Sequence, residues 1–209
     1  MQENVVQANV VVEERLIVGL GNPDEDYADT RHNLGFACVR ELAARLDVRI
    51  DRKRWKSLVG RSEAHHLWLM LPQTYMNLSG EAVAKAVKDA RVAPQNVWVV
   101  YDELDLPLCR MRIRLGGSGA GHNGVLSLIN SLGTPDFVRF RVGIGKPPRK
   151  GSQPGRQHVL GRFTKAEAER LPSVIDGVAS ALELALDAGV ERAMDRYNRP
   201  GSLGCEELA

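Results

Sequence analysis

Hydrophobic residues along the chain form short continuous runs that alternate with longer stretches in which they recur every three or four positions. Short apolar runs are typical of buried strands, and the wider spacing is typical of helices that bury one face. The predicted strands are RLIVGL (15–20), LWLML (67–71), NVWVVY (96–101) and FVRFRVGIG (137–145). The predicted helices are 32–47, 77–91 with Ser79 as N-cap, 122–132, and 164–196 with a break near Pro172. This alternation predicts an α/β fold with one central sheet covered on both faces.

The segment between the third and fourth of these strands has a different pattern, in which arginine alternates with apolar residues. Arg110, Arg112 and Arg114 occupy every second position there. Because side chains alternate across a strand, the pattern predicts a further strand with one basic face. Arg139 and Arg141 are predicted to share one side of the next strand for the same reason.

The chain contains no internal repeat and no convincing linker, so we expect one globular domain over 15–198. Residues 1–14 are expected to be a flexible N-terminal extension, and 199–209 a C-terminal tail. A length of 209 residues with 44% apolar residues is enough to fill one core.

Charge is distributed unevenly, although the net charge is only +2. From Arg110 to Lys165 there are eleven basic residues and one acid, whereas from Ala166 to the end there are nine acids and four basic residues. A second group of basic residues lies between Arg49 and Arg61. Such local basicity indicates a surface that binds a polyanion. The alternative is an ordinary solvated surface.

Several classes of protein are not expected from this composition. No run of about 18 apolar residues is present to cross a membrane. The first fourteen residues carry acids and no basic group before Arg15, unlike a secretory signal or a transit peptide. Cys38, Cys109 and Cys205 are odd in number and form no CxxC, so neither a disulfide framework nor a cysteine zinc site is expected. We therefore expect a soluble cytoplasmic protein.

Polar residues follow the predicted strands where those strands end. Asn22 follows the first strand, Tyr75–Met76–Asn77 follow LWLML, and Asp102 follows NVWVVY. Ligands of open α/β sheets bind beyond the carboxyl ends of the strands, so these segments should meet at one crevice. His32 opens the first helix, and His122–Asn123 open another after the glycine-rich loop 116–121.

This set of residues predicts hydrolysis by direct attack of water. Asp102 beside His32 would fix the imidazole tautomer and make His32 a general base. The carboxamides could hold peptide amides or a developing oxyanion without adding charge. The chain has no GxSxG and no HExxH, and His65–His66 are predicted to lie in a strand and point to opposite faces, which is poor geometry for a metal. We expect neither a metal nor a cofactor.

Each signal also has a plainer interpretation. A histidine at a helix start is often a cap, Asp102 could cap a turn, and the glycine loop could be a simple connector. GLGNPD is similar to the dinucleotide fingerprint, but Asp24 stands where its third glycine belongs. A nucleotide-binding oxidoreductase is one alternative to a hydrolase, and Asp24 argues against it.

Five segments together resemble the bacterial peptidyl-tRNA hydrolase family. They are LIVGLGNPDEDYADTRHNLGF, PQTYMNLSGEAV, YDELDLP, GGSGAGHNG and FVRFRVGIGKP, in the family's order, and they extend from about Arg15 to Leu160. The resemblance implies a single α/β globule around a mixed twisted sheet, without cofactor and usually monomeric. It also implies hydrolysis of the ester between a peptide and its tRNA, with peptidyl-tRNA as the partner and no obligate protein partner.

The resemblance assigns a role to each matching residue. His32 matches the catalytic base, Asp102 the carboxylate that supports it, and Asn22 the residue that distinguishes a blocked amine from a free one. The positions that contact the terminal region of the substrate are Tyr27, Tyr75, Asn77 and Asn123. Met76 and His122 match crevice residues, and Arg114 and Arg141 match residues that face the tRNA 5′-phosphate and acceptor stem.

The chain departs from the family pattern at three positions. Asp24 stands for a glycine, Tyr75 for a common phenylalanine, and Gly119 for a frequent histidine. None of these removes a catalytic group, but Gly119 puts the mobility of the glycine loop in question. A catalytically silent RNA-binding relative is the second alternative, and the intact set of Asn22, His32 and Asp102 argues against it.

Overall fold

A seven-stranded mixed sheet forms the centre of the structure, a computed structural model that describes residues 13–146 and 154–207. The strands are β1 (Arg15–Gly19), β2 (Arg52–Arg54), β3 (Ser57–Ser62), β4 (Leu67–Pro72), β5 (Val97–Glu103), β6 (Met111–Leu115) and β7 (Val138–Gly143). Their order across the sheet is β2-β3-β4-β1-β5-β7-β6. The central pairs β4–β1, β1–β5 and β5–β7 are parallel, and the outer pairs β2–β3, β3–β4 and β7–β6 are antiparallel.

Helices cover both faces of this sheet. They are α1 (Leu34–Arg45), α2 (Ser79–Ala90), α3 (Asn123–Leu132), α4 (Pro154–Val159), α5 (Lys165–Ala168), α6 (Leu171–Ala188) and α7 (Val190–Tyr197). Residues of α1, α6 and α7 pack with Ile17 and Phe140 in one core, which defines the α1 side. Residues of α2 and α3 pack with Leu16 and Val99 in the other core, which defines the α2 side. The fold class predicted from the hydrophobic pattern is confirmed.

The close approach of α1 to the sheet depends on a glycine. A Cβ atom on Gly35 would lie 2.3 Å from the carbonyl oxygen of Val100 and 2.6 Å from that of Leu20. These distances are far inside van der Waals contact, so only glycine allows the start of α1 to rest on β5. The contact brings His32, three residues earlier, to the carboxyl end of that strand.

Several local predictions need correction. Ser79 is not an N-cap: it is the first residue of α2, and its buried hydroxyl has no hydrogen-bond partner within the described part of the chain. His65 and His66 lie in the turn between β3 and β4, because the strand ends at Ser62. The C-terminal helical region is interrupted near Pro172, as predicted, between α5 and α6. A second interruption at Gly189, between α6 and α7, was not predicted. The β2–β3 hairpin was not predicted.

The expectation for the cysteines was wrong for one pair. Cys109 and Cys205 form a disulfide, with their Cα atoms 5.6 Å apart. An odd cysteine count did not exclude it, because Cys38 is buried in the α1 core and remains free. Burial raises the pKa of the Cys38 thiol well above its usual range. The disulfide ties the C-terminal tail to the segment that precedes β6.

The two chain ends differ in how much of them is described. Most of the predicted N-terminal extension, residues 1–12, lies outside the described residues. Glu14 forms an ion pair with Arg61, with Oε1 and Nη2 2.8 Å apart. In the tail, Leu203 is buried and Glu207 contacts Arg110 at 2.9 Å. Every helix in the described ranges is too short or too polar to cross a membrane.

Candidate active site

His32 and Asp102 lie together at the carboxyl end of β5. Nδ1 of His32 is 2.9 Å from Oδ1 and 3.0 Å from Oδ2 of Asp102, and both residues are buried. A carboxylate only accepts hydrogen bonds, so His32 Nδ1 carries the proton and donates it. The unprotonated Nε2 is then left with a lone pair, as a general base requires. Asp102 lies within β5 rather than after it, because the strand extends to Glu103.

A second imidazole shares the same carboxylate. Nε2 of His122 is 3.1 Å from Oδ1 of Asp102, and its Nδ1 accepts a hydrogen bond from the backbone N–H of Val125 at 3.3 Å. His122 is therefore the side-chain N-cap of α3, and its Nε2 carries the proton. Burial alone would raise the pKa of Asp102, but the two histidines hold it well below its usual range. Asp102 thus stays ionised and orients both rings.

The same three residues are spaced closely enough to hold a metal ion. The ligand atoms of His32, Asp102 and His122 lie within 4.8 Å of one another. The sequence analysis brought these three residues to one crevice but did not predict that their ligand atoms lie this close together, because they come from three distant segments. In the hydrogen-bonded arrangement both imidazoles donate a proton to the carboxylate, and metal binding would require those protons to leave. Hydrogen bonding and metal binding at these atoms therefore exclude each other.

Asn22 is held rigidly by the backbone around it. Its Oδ1 accepts from the backbone N–H of Met76 at 2.9 Å. Its own backbone N–H and carbonyl are bonded to the side chain of Asn33, at 2.8 Å and 2.9 Å. Because Oδ1 is engaged, the Nδ2 donor is the end of the carboxamide left for a ligand. The sequence analysis missed Asn33, although it directly follows His32.

A cavity of about 790 Å³ opens beside these residues. Its volume falls within the range of small-ligand sites. All nine predicted crevice residues line it: Asn22, Tyr27, His32, Tyr75, Met76, Asn77, Asp102, His122 and Asn123. Other lining residues were not predicted. They include Glu103–Asp105, which belong to the segment YDELDLP but were given no role, and residues of α4 with Leu160, which carry no motif.

Two of the family departures meet at the edge of this cavity. The hydroxyl of Tyr75 donates to Oδ2 of Asp24 at 2.9 Å, and this hydrogen bond raises the pKa of Tyr75. A glycine and a phenylalanine could not make this contact. Tyr75 is otherwise about half exposed, at 52%.

The predicted basic strands are neighbours. Arg112 pairs with Arg141 and Arg114 with Arg139 across the β6–β7 ladder, and all four project to the α2 side. Arg114 is exposed, whereas Arg141 is bound to Glu103, with Nε and Oε2 2.8 Å apart. Neither Arg114 nor Arg141 lines the cavity. Arg141 touches the site through Glu103, which lines the cavity, whereas Arg114 lies farther back along the sheet, opposite Arg139.

Arg139 has a different role from the one its position in the strand indicated. It is 2% exposed, and its guanidinium donates to the backbone carbonyls of Gly117 and Ser118. It also lies over the ring of Phe137, 4.6 Å from the centroid. Arg139 therefore fastens the glycine loop to β7, which positions His122 at the end of that loop. The mobility of the loop is limited by this anchor.

Comparison with known proteins gives consistent matches along almost the whole chain. A family model described as peptidyl-tRNA hydrolase matches residues 16–203. A peptidyl-tRNA hydrolase of Chloroflexus aggregans is 46% identical over 186 residues, which are 88% of this chain and 98% of the relative. One of Syntrophotalea carbinolica is 40% identical over 186 residues, covering 88% of this chain and 96% of the relative. The crystal structure of peptidyl-tRNA hydrolase from Acinetobacter baumannii matches with a TM-score of 0.82 at 33% identity, covering 95% of this chain and 98% of that one.

Proposed function

Because the chain belongs to the peptidyl-tRNA hydrolase family, we propose that it cleaves the ester between a peptide and its tRNA with a water molecule activated by His32. The observation that carries this proposal is the hydrogen bond from His32 Nδ1 to Asp102. That bond leaves His32 Nε2, in a residue that lines the cavity, as the one ring nitrogen of the pair whose lone pair is unengaged within the described residues, since the unprotonated Nδ1 of His122 accepts from Val125 as a helix cap.

The reaction then needs two proton transfers. His32 Nε2 removes a proton from water as the oxygen attacks the ester carbonyl, and Asp102 stabilises the imidazolium that forms. The tetrahedral oxyanion accepts a hydrogen bond from the Asn22 carboxamide. When the bond to the tRNA 3′-oxygen breaks, the imidazolium returns the proton to that oxygen. The products are a peptide with a free carboxyl group and a tRNA with a free 3′-hydroxyl.

The same cavity provides selectivity for a blocked amine. Asn22, Asn77 and Asn123 line it with neutral amides that can pair with a peptide bond. The carboxylates that line the cavity are already engaged: Asp102 by two histidines, Glu103 by Arg141 and Asp105 by Lys146. A free α-ammonium group would therefore lose its water there without an unengaged carboxylate to replace it. We therefore propose that peptidyl-tRNA is cleaved and that aminoacyl-tRNA is spared, which allows tRNA to be recycled from prematurely released chains. The protein is proposed to act as a cytoplasmic monomer.

The function is tested with matched substrates. N-acetyl-aminoacyl-tRNA and the same aminoacyl-tRNA without the acetyl group are supplied separately, and release of free tRNA is measured. We expect cleavage of the blocked substrate only, and equal rates on both would contradict the model. The assay is repeated in excess EDTA. Activity is expected to persist, because the proposed step needs the histidine protons in place rather than a metal ion, and loss of activity would favour a bound metal at His32, Asp102 and His122.

The arginines on β6 and β7 are proposed to bind the tRNA backbone. Replacing Arg114 and Arg141 by glutamate should raise KM for tRNA substrates and leave the hydrolytic step largely intact, because phosphate contacts position the RNA without entering the cavity. Each lost phosphate contact should reduce the slope of log affinity against log salt by about 0.7–0.9. Arg114 should account for more of the effect, since Arg141 already pairs with Glu103.

A charge reversal of the same kind on the α1 side provides the control. Arg192→Glu changes an exposed residue of α7 and should leave KM unchanged. A minimal ester without the RNA body should be cleaved equally by wild type and double variant. Unchanged tRNA affinity and salt slope in the double variant would remove Arg114 and Arg141 from the RNA-binding surface.

A further inference from the structure

The β2–β3 hairpin carries a group of basic residues for which the catalytic site offers no use. We call Arg49, Arg52, Lys53, Arg54 and Lys56 the hairpin patch, and all five are exposed. Lys56 pairs with Glu81 at 3.0 Å. For the four others, no carboxylate lies within ion-pair distance in the described part of the chain. Unpaired basic residues at a sheet edge sometimes have no role beyond preventing strand pairing between molecules. The position of these residues in the fold decides whether they have a further role.

The tip of the β2–β3 hairpin lies at the carboxyl end of β4. Arg54 pairs with Ser57 in the hairpin, and Ser57 pairs with Pro72, the last residue of β4. The backbone N–H of Gln73 donates to the carbonyl of Lys56 at 2.8 Å. β4 continues directly into Tyr75, which lines the active-site cavity. The tip of the hairpin therefore lies at the same end of the sheet as the cavity, with β2 two spacings, or about 10 Å, from β4 and four spacings, or about 19 Å, from β5, which carries Asp102.

Arg52 and Arg54 project to the α2 side of the sheet. Arg52 lies opposite Val59, which belongs to the core on the α2 side, and Arg54 shares that face two residues later. The guanidinium of Arg54 lies over the ring of Trp55, with Cζ 4.2 Å from the centroid, a cation–π contact that leaves the side chain exposed. Lys53 alternates with these residues and lies opposite Leu58, which packs on the α1 side. Arg52 and Arg54 thus project to the same side as Arg112 and Arg114 at the other edge of the sheet.

The surface between the two edges does not repel phosphate. In α2 the exposed Lys85 and Lys88 are balanced by the exposed Glu81 and Asp89, and α3, with the sequence NGVLSLINSL, contains no charged residue. By contrast, the segment from Ala166 onward, which includes α6 and α7 on the α1 side, holds nine acids and four basic residues. A polyanion is therefore attracted to the two basic borders of the α2 side, and the near-neutral surface between them does not oppose it.

We propose that the hairpin patch is a second RNA-binding surface, which contacts the double-helical body of the tRNA while the 3′ end occupies the cavity. The inference rests on the proposed function and adds to it a part of the substrate that the catalytic site does not touch. Six strand spacings of about 4.8 Å separate β2 from β6, or about 29 Å. This span corresponds to on the order of ten base pairs of duplex. Arg114 holds the duplex near its end, and Arg52 and Arg54 hold it farther along.

The test compares two faces of one strand on two lengths of RNA. Arg52→Gln with Arg54→Gln removes two charges on the α2 side, whereas the single variants Arg52→Gln and Lys53→Gln each remove one charge, from opposite faces of β2. Each protein is assayed with N-acetyl-aminoacyl-tRNA and with an acetyl-aminoacyl RNA hairpin of roughly five base pairs, about half the required span. Arg54 contacts the buried Trp55, so its replacement could also change the stability of the hairpin. The single variant Arg52→Gln and a thermal melt of each protein therefore serve as controls for the double variant.

For full-length tRNA, the Arg52→Gln and Arg54→Gln protein should show a raised KM with unchanged kcat. When salt rises from about 50 to about 200 mM, the affinity of both proteins for tRNA should fall. The factor by which it falls should be about ten times smaller for the double variant than for wild type, as expected for two lost phosphate contacts. Arg52→Gln should show part of this effect, and Lys53→Gln should match wild type. The short hairpin should be cleaved equally by all of the proteins.

Three results would overturn the proposal. They are an unchanged KM and salt slope on tRNA in well-folded variants, an equal effect of Lys53→Gln, or an equal rise in KM on the short hairpin. Cleavage of the short hairpin by wild type reports on the proposed function separately. If wild type cleaves neither RNA, the hydrolase mechanism fails, and the salt dependence of tRNA binding still decides the role of the hairpin patch.

Discussion

Replacing His32 by alanine should lower the rate of ester cleavage about 10²–10⁴-fold, the usual span for a lost general base. The imidazole is the group whose Nε2 is free to take a proton from water, because its Nδ1 is bound to Asp102. Affinity for the substrate should change little, since His32 acts mainly in the transition state. Single-turnover rates on N-acetyl-aminoacyl-tRNA measure the chemical step directly.

Two comparisons make this result specific. His65→Ala removes a histidine from the turn between β3 and β4 and should leave the rate unchanged. Asp102→Asn should cost less than His32→Ala, because Oδ1 of an asparagine can still accept from both imidazoles and only the charge is lost. Near-normal turnover of His32→Ala would rule out His32 as the base.

Replacing Asn22 by aspartate should reduce kcat about 10²–10³-fold, the cost of losing one donor to an oxyanion. The exchange preserves shape, and one carboxylate oxygen can still accept from the N–H of Met76. The other oxygen takes the place of the Nδ2 donor and repels the developing negative charge. The same carboxylate should favour a free α-ammonium group, so the ratio of rates on blocked and unblocked substrates should fall.

Asn22→Ala separates the two effects. It removes the donor without adding a charge, so it should lower kcat while the preference for a blocked amine persists. Circular dichroism and a melting curve check that the loop between β1 and α1 is intact in both variants. If Asn22→Asp retains wild-type kcat and selectivity, the carboxamide does not face the reacting carbonyl.

The hydrophobic pattern predicted the central strands well because those strands are buried on both faces. β1, β4 and β5 appear in the sequence as nearly continuous apolar runs, and β7 as apolar residues that alternate with Arg139 and Arg141. The hairpin strand β2 consists of Arg52–Arg54, all exposed, so it has no apolar pattern from which it could be predicted. Its existence depends on pairing with β3, which is a tertiary contact.

The sequence predicted the site residues that directly follow strands. It did not predict the residues that hold others in position, such as Asn33 and Arg139. The ends of β1, β4 and β5 bring Asn22, Asn77 and Asp102 to one rim, as parallel strands require. By contrast, the bond between Asn33 and Asn22 spans two loops whose approach is fixed only by packing. The alternation of residues along β7 predicted that Arg139 and Arg141 share one side of the sheet. It could not predict that Arg139 is buried, because alternation determines the side of the sheet and not the depth of burial.

The position of β1 at the middle of the sheet has a consequence for how the protein is made. Leu16 lies beside Trp68 on one neighbour and Val97 on the other, so the first strand to be synthesised needs two partners that come much later. At about 5–20 residues per second, β5 is complete roughly 4–17 seconds after β1. Pairings between such distant segments also form slowly, because a long loop must close first. The buried row Leu16–Val18 is therefore exposed on the nascent chain for seconds, and this is the interval in which a chaperone has most to protect.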